Sequence, residues 1–261
     1  MSKKSWVALI CILSLSNLAF AYDAKEVISL VNLEYSPVNE KSSFKMTLID
    51  AGGKSTDRTG TQYFKRKESN KPESMRLYRF HSPPEMAKSA VLIIENSDKD
   101  NDQWIYLPAT YSTRKIPSRN RGDRYMGTDF SYEDAVSYKI SEYSYKALED
   151  ETINNTKCHK IEQIPIDPKL VKESLYSRIK QWIDPARSVA VKREYYDKAN
   201  NLLKIYKASD FVKVGGLYRA RHVEMEDLKL KHKTIVDYSN FDTTKVIKDS
   251  YFTVRSLERP E

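Results

Sequence analysis

The chain has 261 residues, of which 40% are hydrophobic and 31% charged, with a formal net charge of +8. That apolar content supports one well-buried domain, and beyond the first 21 residues no run approaches the about 20 apolar residues needed to span a bilayer. Basic charge raises nucleic acid as a partner, but the charges are mixed in sign along the chain and its start reads as an export signal, so no nucleic acid is expected; anionic lipid head groups and other envelope anions are the better-supported targets.

Lys3 and Lys4 form a positive first segment, Trp6 to Leu15 an apolar run broken only by Ser14, and Ala19-Phe20-Ala21 a small-residue cleavage site. This pattern predicts a cleavable secretory signal peptide over residues 1–21, and hence a periplasmic protein. Cys11 lies inside the apolar run, which does not fit a lipoprotein signal. Cleavage leaves 261 − 21 = 240 residues, removes Lys3 and Lys4 so that the charge falls to 8 − 2 = +6, and leaves Cys158 as the sole cysteine. With no internal disulfide the fold has to rest on a core, and Cys158 reads as a small buried hydrophobe.

Asp23 to Tyr35 reads as a helix with an apolar stripe of Ala24, Val27, Ile28 and Val31, capped by Asp23 and ended by Ser36-Pro37. The period then changes to two. Phe44, Met46 and Leu48 alternate with polar residues, Ala51-Gly52-Gly53-Lys54 is a hairpin turn, and a second strand runs to about Arg66. Strands follow at Met75–Phe80, Ala90–Glu95 and Trp104–Leu107, the last ended by Pro108. Pro117 to Ala135 is irregular, and Pro165 to Asp184 is a second interruption with a short helix expected from Lys172 to Trp182. Val189–Tyr196 and Leu202–Lys207 flank an Asp197–Asn201 turn, and Gly215-Gly216 is a further turn. Leu228 and Leu230 alternate with lysines as a strand, and Ile235–Tyr238 continues that sheet after a bend. Roughly ten short strands joined by short turns predict an antiparallel sheet or barrel, in one domain over residues 22–261.

Catalytic signatures are missing. His81, His159, His222 and His232 sit in no metalloprotease pattern, and there is neither a nucleophile elbow nor a glycine-rich phosphate loop. Cys158 and His159 are neighbours on an expected strand and so face opposite ways. Asp98, Asp100 and Asp102 have a calcium-like spacing without the glycine and terminal glutamate of that loop, and read as a hairpin loop. Glu133-Asp134 fits the start of a helical turn better than an acid–base pair. The sequence therefore predicts no enzyme, no metal and no cofactor. It offers instead 18 tyrosines and three tryptophans. If many of them face inward, a closed or half-closed sheet holds either an apolar cavity or an ordinary sandwich core.

One long stretch narrows this choice. Gln103-Trp104-Ile105-Tyr106-Leu107-Pro108, then Arg114-Lys115-Ile116, then Gly127-Thr128-Asp129-Phe130-Ser131-Tyr132-Glu133-Asp134 resemble, in order and approximate spacing, the outer-membrane lipoprotein-sorting proteins related to the LolA/LolB carriers. Tyr195-Tyr196-Asp197 and the pair Phe252 and Leu257 extend the likeness over most of the chain. Ala135 departs from a common leucine, and Met86-Ala87-Lys88-Ser89 from a glycine-containing turn. The resemblance implies a mainly β (α+β) fold: a curved, incompletely closed antiparallel β-barrel with a helical lid, enclosing a hydrophobic cavity that shields the acyl chains of a lipid or lipoprotein. It also implies that some relatives work beside RND-type exporters, which leaves an exporter-docking accessory protein as the alternative function.

Under that implication Trp104, Tyr106 and Leu107 form a cavity wall. Met126, Phe130 and Tyr132 form an aromatic lid entered through Gly127, and Arg114, Lys115, Arg119, Arg121 and Arg124 form a cationic rim for an anionic head group. A monomer is expected.

Overall fold

A computed structural model describes residues 22–34, 37–68, 71 and 73–259. The expected leader, residues 1–21, and Tyr35 and Ser36 at the expected end of the first helix lie outside the described residues. Helix α1 (Ala24–Glu34) forms where predicted, and Asp23 Oδ1 accepts from the backbone N–H of Lys25 (2.8 Å) and Glu26 (3.3 Å). Six strands follow: β1 (Asn39–Ile49), β2 (Ser55–Arg66), β3 (Ser74–Ser82), β4 (Ala90–Ile94), β5 (Asp102–Leu107) and β6 (Ser112–Ile116). After an irregular segment come β7 (Tyr143–Ile153), β8 (Thr156–Pro165), helix α2 (Pro168–Glu173), β9 (Arg178–Asp184), β10 (Val189–Tyr196), β11 (Leu202–Val214), β12 (Leu217–Asp227) and β13 (His232–Asp242). A short helix α3 (Val254–Leu257) closes the chain.

The thirteen strands make one antiparallel sheet in the order β6-β5-β4-β3-β2-β1-β13-β12-β11-β10-β9-β8-β7. Strands β6 and β7 are consecutive in the chain yet occupy opposite edges. The sheet is curved but not closed, and residues 117–142 must cross from one edge to the other. They do so over the inner face, where Tyr125 and Tyr132 join Phe44, Phe80, Tyr195 and Val236 in the largest apolar cluster. We call this segment the plug. Helix α1 covers the β7–β10 end of the same face, with Ile28 and Val31 against Ile161, Ile183 and Ala190. The outer face has its own cover: Ile247, Phe252 and Leu257 pack on Tyr63, Leu77, Ala90 and Leu92.

Period-two alternation produces this division. Val91 and Ile93 face inward while Ala90 and Leu92 face outward. At Gly60 a Cβ would stand 2.3 Å from both the Arg79 carbonyl and the Phe44 ring, so glycine lets the inner aromatic layer close against the bend of β2.

Two expectations are corrected. Residues 172–182 are not one helix: α2 ends at Glu173, and Arg178–Asp184 is a strand whose Ile179 and Ile183 are buried. Leu228 and Leu230 lie in the β12–β13 turn, where Asp227 Oδ1 accepts from the N–H groups of Lys229 (3.0 Å) and Leu230 (2.9 Å) and Leu230 is left exposed. The segment over the cavity is irregular, as expected, with three-ten turns along it, and helix α1 adds helical cover on the same face.

Candidate functional site

The plug is held by its acidic residues. Asp129, buried, accepts from Thr234 Oγ1 (2.7 Å), lies 2.6 Å from His232 Nδ1 and pairs with Arg124 (3.1 Å). Asp134 Oδ2 accepts from the Ser131 N–H (2.7 Å) and the Tyr176 hydroxyl (2.8 Å), with Lys204 Nζ 3.7 Å away. Glu133 Oε1 accepts from the Leu175 N–H (2.7 Å). Burial, reinforced by the neighbouring Asp134 charge, pushes the Glu133 carboxyl up to about 7. Tight turning over the plug uses left-handed backbone at Met126 (φ 51°) and Gly127 (φ 75°), and the Met126 carbonyl accepts from Arg58 Nη1 (2.5 Å). The Gly-Thr-Asp-Phe-Ser-Tyr-Glu-Asp run is therefore the set of anchors that fixes the plug in the barrel.

Between plug, sheet and α1 lies a cavity of about 180 Å³. Met46, Phe64, Val223 and Val236 from the sheet and Tyr125, Phe130 and Val136 from the plug form its apolar lining. Three arginines also reach it: Arg76, Arg193 and Arg219. Arg219 pairs with Glu40 at 2.8 Å, both nearly fully buried, and burial holds the Glu40 carboxyl above its ordinary range against the pull of Arg219. Arg76 pairs with buried Glu95 (3.2 Å) and donates to the Ala135 carbonyl (2.6 Å). Among the described residues no three His, Cys, Asp or Glu side chains gather as a metal site. Asp100 pairs with Lys169, and Asp102 with Lys115 and Lys99.

The structure divides the residues expected to form the site. Phe130 lines the cavity, Tyr132 is buried in the inner cluster, and Leu107 and Met126 pack against that cluster. Trp104 and Tyr106 do not face the cavity. Alternation along β5 sends them to the outer face beside Leu92 and Phe252, while Ile105 between them points in. The five basic residues also separate. Lys115 pairs with Asp102 (2.5 Å), Arg121 with Glu173 (3.3 Å) and Arg124 with Asp129, whereas Arg114 and Arg119 are exposed and ion-pair with no described residue. Sequence reasoning missed the cavity arginines. Their signal was an Arg at an inward period-two position, Arg76 before Tyr78 and Phe80, and Arg193 before Tyr195.

The fold defined by this geometry is an open antiparallel barrel with a cavity under a plug, and comparison with known proteins agrees. A family model described only as "Uncharacterized protein" matches residues 72–259, and the chain belongs to that family. No curated protein matches. A crystal structure described as an outer membrane lipoprotein-sorting protein domain, from Vibrio parahaemolyticus, is 26% identical with a TM-score of 0.83, covering 90% of this chain and 98% of that one. A DUF1329 family protein from Desulfovibrio piger is 25% identical with the same TM-score, covering 90% and 97%. A LolA superfamily protein from Nitrosomonas europaea shares the fold at 17% identity and a TM-score of 0.68, covering 89% and 98%. These neighbours bear out the resemblance read from the central motif, and the incompletely closed barrel it implied is the one this chain forms.

Proposed function

We propose that the protein is a non-enzymatic carrier that shelters the acyl chains of a lipid or lipoprotein inside the barrel during transfer toward the outer membrane. The observation that carries this reading is the plug. It fills the inner face with its own apolar side chains, yet it is fixed by a few polar anchors and interrupts no strand pairing. Ligand pockets typically enclose about 300–1,000 Å³, so the cavity of about 180 Å³ accepts a long chain only when the plug moves. Burying a methylene is favourable by about 0.8 kcal/mol, so a chain of a dozen or more carbons can replace the contacts of Phe130, Val136 and Tyr138. A closed state only a few kcal/mol from the open one allows both retention and release. Support also comes from the likeness to the Vibrio lipoprotein-sorting domain.

In this reading residues 1–21 are a signal peptide, residues 22–261 one periplasmic domain, and the working unit a monomer. Arg114 and Arg119 are the rim residues that meet the anionic head groups of a membrane surface. Equilibrium binding of a fluorescent long-chain fatty acid to the mature protein tests it. Saturable uptake competed by unlabelled chains is expected, and no uptake would remove the carrier.

A further inference from the structure

The three cavity arginines are not equivalent. Arg219 is matched by Glu40 and Arg76 by Glu95. Arg193 is held differently. Its Nε donates to Gln181 Oε1 (2.9 Å), and Gln181 Nε2 in turn donates to Gln163 Oε1 (2.6 Å). This neutral amide relay fixes the guanidinium and takes away none of its charge. Its other neighbours are aromatic, with the Tyr206 ring centroid at 5.0 Å and that of Tyr138 at 5.9 Å. Among the described residues no carboxylate ion-pairs with Arg193. Asn32 Nδ2 of α1 donates to the Tyr138 carbonyl (3.0 Å), so the ring beside Arg193 is itself held in place.

A cation that ion-pairs with no carboxylate in a mostly enclosed cavity is costly to keep, and aromatic faces offset only part of that cost. The guanidinium fork matches the geometry of a carboxylate or phosphate, which it grips through two parallel hydrogen bonds. The cavity is lined by apolar residues such as Met46, Val223 and Val236, and its two carboxylates, Glu40 and Asp134, are engaged elsewhere, Glu40 by Arg219 and Asp134 by Ser131, Tyr176 and Lys204. We propose that Arg193 binds the anionic group of the cargo inside the barrel, and that the ligand class is a long-chain amphiphile with one oxyanionic head. This deepens the carrier reading and rests on it.

The test compares oleate, oleyl phosphate and oleyl alcohol binding to the wild-type mature chain and to Arg193→Gln and Arg193→Lys, with thermal unfolding to confirm that each variant folds. A charge-assisted hydrogen-bond pair lost on substitution weakens binding by about tenfold to a hundredfold. Arg193→Gln is expected to weaken at least one anionic ligand by about that factor and oleyl alcohol by less than about threefold, with Arg193→Lys intermediate. The anion that responds identifies the head: oleate a carboxylate, oleyl phosphate a phosphate. If all three ligands bind the variant as they bind the wild type, or weaken equally, Arg193 has no role in head recognition and the inference falls while the carrier stands. If the wild type binds none of them, both readings fall. Should Arg193→Gln fail to fold, Gln181→Leu, which removes the acceptor that orients the guanidinium, is expected to reduce oleate affinity selectively over oleyl alcohol. Equal loss for both would overturn the proposal.

Discussion

Asp129 of the plug lies 2.6 Å from His232 Nδ1 at the start of β13, a contact between residues 103 apart in the chain. The same carboxylate accepts from Thr234 and pairs with Arg124, so one buried side chain joins the plug to the middle of the sheet. Asp129→Asn keeps the shape and removes the charge. It is expected to cost about 2 kcal/mol in urea unfolding, the loss of hydrogen bonds to an ionised acceptor. Amide exchange should accelerate in residues 120–135 more than in β1 or β13. Uniform acceleration would mean that Asp129 supports the whole fold and not the plug in particular.

The second anchor depends on pH. Glu133 has its carboxyl raised to about 7 by burial and the adjacent Asp134, against an unfolded value near 4.5. Below about 4.5 both states bind the proton and the group is neutral to stability. As pH rises from there through 7 the folded state must give up a proton it holds more tightly than the unfolded chain does, so stability is lost with rising pH. Wild type is therefore expected to lose more melting temperature between pH 5.5 and pH 8.5 than Glu133→Gln, which keeps an acceptor for the Leu175 N–H. Parallel pH profiles would show that Glu133 does not titrate in this window.

Trp104 and Phe130 test which face of the sheet receives cargo. Phe130 lines the cavity, and Phe130→Asp is expected to abolish most long-chain retention while the protein stays folded. Trp104 is packed on the outer face with the C-terminal segment, and Trp104→Ala is expected to destabilise by about 1–3 kcal/mol while leaving chain affinity within about twofold. Measuring both variants by unfolding and by fatty-acid binding separates the two roles. A binding loss confined to Trp104→Ala would place the cargo on the opposite face.

Much of the frame was legible in the sequence, for physical reasons particular to each element. Asp23 before an apolar stripe gave α1, and the alternation of Phe44, Met46 and Leu48 gave β1, because one face of each is buried and the other is wet. Strand β7, charged and at most partly buried over Lys146–Ile153, sustains no apolar alternation there and left no mark. The Leu228–Leu230 alternation misled because a turn with Asp227 as side-chain acceptor can expose a leucine. In the site, the central motif marked the right segment, but not which way its residues point. Trp104 and Tyr106 alternate with Ile105, and period two gives opposite faces without saying which is inner. Three of the five basic residues were already matched by Asp102, Glu173 and Asp129, partners too distant in the chain or too common in type to single out.

The exposed and the paired cations should behave differently. Arg114→Glu with Arg119→Glu is expected to slow association with anionic vesicles, with an effect that shrinks at high salt, since neither side chain ion-pairs with a described residue. Arg121→Glu sets a carboxylate against Glu173 and is expected to lower stability. Vesicle association measured by stopped flow at low and high salt checks the pair. An association rate unchanged by reversing Arg114 and Arg119 would remove the rim from the account.

Native mass spectrometry of the mature protein, purified from its own envelope without delipidation, addresses the carrier itself most directly. The account predicts a bound species of lipid or lipopeptide mass at one per chain, lost in Phe130→Asp. A mass equal to the polypeptide alone, joined by failure to take up added oleate or oleyl alcohol, would contradict it.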